Sequence, residues 1–76
     1  MKYAIITFNT IHFAMKAQKA LLTKNATFEF VPVPKEISSD CGVCIRIPWT
    51  DKDTISQIIK ENEVTILDIH AWERQL

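Results

Sequence analysis

A chain of 76 residues is one domain with room for a single core, and with nine basic against nine acidic residues its formal charge is zero. The balance argues against a nucleic-acid partner, since a phosphate backbone selects for a basic face, and no apolar run is long enough to span a bilayer. The opening Met1-Lys2-Tyr3-Ala4 leads straight into a strand pattern rather than a secretory leader, which places the protein in the cytoplasm, where thiols stay reduced.

Tyr3 to Phe8 is rich in β-branched and aromatic residues and predicts a buried strand. Asn9 and Thr10 offer side-chain oxygens as a helix N-cap. From Ile11 to Leu22, Ile11, Ala14, Met15, Ala17, Leu21 and Leu22 recur at helical spacing, with Lys16, Gln18, Lys19 and Lys24 off the stripe and an end near Asn25. A second strand from about Thr27 to Val33 contains Pro32 and is followed by Pro34; neither can donate to a ladder, so this strand belongs at an edge. Gly42 to Ile47 is the third strand, stopped by Pro48. Thr50 to Asp53 opens a second helix with Ile55, Ile58 and Ile59 on one face, and Val64 to Ile69 is the last strand. The expected core is Ile11, Met15, Leu22, Ile55, Ile58 and Ile59, with Trp49 and Trp72 as packing residues and 71–76 as a flexible tail of the single domain 1–76.

The order β-α-β-β-α-β closes most simply as an α+β ferredoxin-like sandwich, a four-stranded antiparallel sheet with two helices on one face. In that topology strands one and two run to the same end. The turn after strand one and the loop between strands two and three therefore lie side by side, bringing Thr10 and His12 near Ser38 to Gly42. That loop holds the chain's most distinctive chemistry, Pro32-Val33-Pro34-Lys35-Glu36-Ile37-Ser38-Ser39-Asp40-Cys41-Gly42-Val43-Cys44. Cys41 follows three polar residues and precedes the only glycine, a setting for an outward-facing thiol, and a nearby helix N-terminus stabilises a thiolate.

The Asn9-Thr10-Ile11-His12 opening into an Ala/Lys-rich helix, the Pro-x-Pro-Lys-x-Ile-Ser-Ser-x-Cys-Gly element and the following Arg46 resemble the small-domain family of selenium/sulfur carrier-like proteins over nearly the whole chain. The resemblance implies a carrier or accessory protein rather than a turnover enzyme, with a persulfide or selenopersulfide held transiently on Cys41. It also implies protein partners that donate and accept sulfur or selenium, and no cofactor. At Cys44 the chain departs from the family pattern, which has a small residue such as alanine there. A thiol carrier needs polar groups near the sulfur more than a catalytic triad; Ser38, Ser39 and the amides around Gly42 are the candidate donors, and Lys35 and Arg46 the nearest cations. Two-residue alternation puts Arg46 on the same face as Cys44.

Cys41-Gly42-Val43-Cys44 also has the C-x-x-C spacing of redox and metal sites. Here, however, the pair opens a strand, where positions three apart face opposite ways, and a zinc site would still lack two ligands. Cys44 is thus either an auxiliary thiol or a half-buried strand residue, and no metal site is assigned. His12 is a base or cation for Cys41, or a solvated helix residue; His70 is given no chemical role. If Tyr3 or Ile5, Val31 and Ile69 project from the helix-free face of the sheet, that face is an apolar patch that homodimerisation would cover. The patch supports a second reading, a dimeric binding or regulatory module in which Cys41 only shapes a loop.

Overall fold

The computed structural model describes residues 2–37 and 42–73. β1 (Lys2–Thr7) leads to α1 (Ile11–Thr23), β2 (Glu29–Pro32), β3 (Val43–Pro48), a 3-10 turn (Trp49–Asp51), α2 (Lys52–Glu61) and β4 (Asp68–Glu73). The sheet order is β2-β3-β1-β4, and every pairing is antiparallel. This is the α+β, ferredoxin-like arrangement expected, with the proline-bearing β2 at an edge.

α1 starts, and both helices stop, for local reasons. Thr10 has extended backbone angles and its hydroxyl accepts from Phe13 N at 3.2 Å, an N-cap. At the other end Asn25 takes φ 55°, while Ala26 N donates to Leu21 O (3.0 Å) and Asn25 N to Leu22 O (3.1 Å). α2 repeats the pattern: Glu63 takes φ 61°, Val64 N donates to Ile59 O (3.3 Å) and Glu63 N to Lys60 O (3.0 Å). These are Schellman ends, in which a left-handed residue reverses the chain and satisfies the last carbonyls.

The second Schellman end explains the main departure in strand boundaries. Val64 is buried as the apolar residue that closes the helix stop, Ile66 packs against the core, and Leu67 N donates to Thr7 O at 2.9 Å just before the strand begins. β4 is therefore Asp68–Glu73 rather than 64–69, and Ala71, Trp72 and Glu73, expected in the tail, are strand residues paired with Ala4, Tyr3 and Lys2.

The helices cover one face, where Ala4, Ile6, Phe8, Ile45 and Ile47 meet Ala14, Ala17, Leu21, Ile55, Ile59 and Val64. α1 turns small residues inward, with Ala14, Ala17 and Ala20 buried beside Leu21. The expected core residues Ile11, Met15 and Leu22 are instead 47%, 57% and 60% exposed, and Ile58 is half-buried. Alanine lets the helix approach the sheet closely, and the bulkier side chains, rotated about 60–120° around the helix from Ala14 and Leu21, stay outside.

The helix-free face is roofed. Ile5 and Cys44 are fully buried there beneath Ile37, with Val31, Val33 and Trp72 packed around them. Ile69 pairs with Ile6 and so lies on the helix side, not on this face. Arg46 and His70 flank Ile5 in register and Glu29 lies beyond Arg46, so the broad apolar patch anticipated there is interrupted by polar side chains.

Candidate thiol site

The loop between β2 and β3 is held from both sides. Val33 N donates to Gly42 O at 3.2 Å across its base, and Ile37 N donates to Pro34 O at 3.0 Å, which turns the chain at Lys35-Glu36. Proline at 32 and 34 ends the ladder, so the strand gives way to this turn. Ile37, 8% exposed, is then pressed onto Ile5 and Cys44. On the other side Gly42 has φ +77°, and nothing lies within 4 Å of where a Cβ would stand. Glycine is required there by backbone conformation, not by space.

Ser38, Ser39, Asp40 and Cys41 lie outside the described residues. Thr7 pairs with Cys44, so the end of β1 stands beside the start of β3, and the turn through Asn9 and Thr10 and the entry at Gly42 share one end of the sheet. Thr10 is the cap of α1, and His12 is exposed in its first turn. Lys35 is exposed on the loop.

Arg46 shares the helix-free face with Cys44, as alternation requires, but it is engaged. Its Nη2 meets Glu29 Oε2 at 2.6 Å, its guanidinium carbon lies 5.1 Å from the centre of the Tyr3 ring, and its Nε is buried without a hydrogen-bond partner among the described residues. The geometry directs this cation across the sheet toward Glu29 rather than toward the loop. Cys44 is wholly buried, its Sγ 3.8 Å from Pro32 O. A sulfur with no solvent exposure reacts with nothing until its cover opens. Among the described residues no three His, Cys, Asp or Glu side chains gather as a metal site would need.

Two residues that the sequence did not single out organise the site. Ile37 is the anchor of the thiol loop, and a lone large apolar residue between Glu36 and Ser38 was its only signal. Glu29 is the partner of Arg46, and that pairing follows from strand register alone.

The description "putative Se/S carrier protein-like" belongs to the family whose model matches residues 2–71, from β1 into β4. The chain belongs to this Se/S carrier-like family. Among curated proteins nothing matches it, and nothing matches among solved structures. Position 44 is closed by Ile5 and Ile37, with no exposure to solvent.

Proposed function

We propose that the protein holds sulfur or selenium as a persulfide or selenopersulfide on Cys41 and passes it between a donor and an acceptor protein in the cytoplasm. The observation that carries this reading is the burial of Cys44, packed with Ile5 and Ile37 without solvent exposure, which leaves Cys41 as the candidate thiol. Membership of the Se/S carrier-like family supports the same assignment.

The step needs no external oxidant. The Cys41 thiolate attacks the outer sulfur of a donor persulfide, a new S–S bond forms on Cys41, the donor's S–S bond breaks, and its electron pair leaves on the donor thiolate. Delivery is the same exchange with an acceptor thiolate attacking and the Cys41 thiolate departing. Ser38, Ser39 and the Gly42 amide are the proposed donors to the bound atom, with Lys35, Thr10 and His12 at the same end of the sheet. Cys44 is at most an auxiliary: attack by its sulfur on the inner atom of the persulfide would close a Cys41–Cys44 disulfide and expel hydrosulfide, and it requires Ile37 to lift.

Mass spectrometry of intact protein after incubation with a persulfide donor tests the assignment. One added sulfur is expected on the wild type and on Cys44→Ala, and none on Cys41→Ser. Loading that survives in Cys41→Ser overturns the carrier reading, and equal loss in both variants favours a paired redox site.

A further inference from the structure

The three large apolar residues that α1 leaves outside the core form a surface of their own. At about 100° per residue, Ile11, Met15, Gln18 and Leu22 fall within roughly 60° of one another along the helix. His12, Lys16 and Lys19 border this stripe, and together with Met15, Gln18 and Leu22 they line a shallow furrow. The neighbouring α2 does not cover it: Ile11, Met15 and Leu22 stay exposed, and Asn62 at the end of α2 shares a separate hollow with Lys16, Lys19, Ala20, Thr23 and Lys24. A helix that turns alanines inward and Ile, Met and Leu outward reverses the usual economy of burial, which marks an interaction surface.

Charge decides the occupant. α1 contains Lys16 and Lys19 and no acidic residue from Ile11 to Thr23, and Lys24 follows at its cap. In a protein of zero formal charge this helix is a local excess of positive charge. A second copy docked α1 to α1 would bring lysines against lysines, whereas an acidic helix would find apolar and ionic complements at once. We propose that this stripe docks an acidic amphipathic helix of a partner protein. α1 starts at the end of the sheet where Gly42 enters β3, so a partner lying along it has one end beside the thiol loop. Naming that partner as the sulfur or selenium donor or acceptor rests on the carrier reading; the docking itself does not.

The probes are a synthetic amphipathic helical peptide with leucines on one face and glutamates on its flanks, and its twin with lysine replacing each glutamate. Binding is measured by fluorescence anisotropy on the full chain carrying Cys41→Ser, so that the result is independent of thiol chemistry. The glutamate peptide is expected to bind, to weaken with added salt, and to lose about tenfold or more in affinity in a Met15→Ser/Leu22→Ser variant. Lys16→Glu/Lys19→Glu should switch preference to the lysine twin. These side chains are exposed, and unchanged thermal unfolding verifies that the variants fold. Binding of neither peptide, equal binding of both, indifference to the substitutions, or a sedimenting dimer dissolved by Leu22→Ser would overturn the proposal, the last by making a second copy the occupant.

Discussion

Gly42 holds its φ of +77° in open space, so its replacement tests conformation without collision. Gly42→Ala is expected to cost about 1–2 kcal/mol, the strain of an L side chain in the left-handed region, read as a lowered urea midpoint with an unchanged slope. The same substitution should reduce persulfide loading, since the residue sets the direction in which the chain arrives at Cys41. Wild-type stability in the alanine variant would mean that the loop can take another path. Arg46 offers the opposite lesson. Alternation was enough to put it on the face of Cys44, but its guanidinium is taken up by Glu29 and Tyr3, and no local pattern announces a partner seventeen positions away.

The helix ends and the thiol loop behave as units. α2 stops on Glu63 at φ 61°, a conformation that glycine adopts without penalty. Glu63→Gly should therefore stabilise the protein by about 0.5–1 kcal/mol, measured as a raised urea midpoint. In the loop, Ile37→Ala is expected to cost about 2–4 kcal/mol, as truncation of a buried isoleucine does. It should also make Cys44 react with iodoacetamide in folded protein, where the wild-type residue at 44 is protected. Persistent protection in that variant would show that Ile37 is not its cover.

Much of this was legible because local chemistry and tertiary structure agree: the Thr10 cap, the edge placement of β2 and the inward Ile55 and Ile59 all follow from residue type and period. The reading of β4 failed because Val64 and Ile66 are apolar for a different reason, closing a helix end and packing beneath it rather than pairing. The span of α1 and its inward Ala14, Ala17 and Leu21 agree with the sequence, but Ile11, Met15 and Leu22 were misplaced because bulk was equated with burial, while the tight approach to the sheet selects alanine. The sequence offers the thiol motif but not its anchor, since only the fold reveals that Ile37 packs on Cys44.

At the scale of the whole molecule, a 76-residue domain has little stability in reserve, and its two cores share one sheet. β1 lies between β3 and β4, with Ala4 and Ile6 in one core and Ile5 in the other, all without solvent exposure. Amide hydrogen exchange should therefore be slowest in β1 and β3, and faster in β2, which is short, at an edge and ends in proline. Ile5→Ala, expected to cost about 2–5 kcal/mol, should bring the protein close to unfolding at room temperature. The Arg46–Glu29 pair, with the glutamate more than half exposed, should contribute about 1 kcal/mol or less.

The clasp formed by Ile37 on one side of residues 38–41 and by the Val33–Gly42 bond on the other also bears on how cargo can be handed over. A lipoyl-type arm delivers by swinging a long tether between distant stations. On the proposed reading the cargo-bearing Cys41 is joined directly to Gly42 by one peptide unit. Donor and acceptor would then each have to come to this end of the sheet in turn, as ships come to a mooring post, and selectivity in the relay would reside in which proteins can berth.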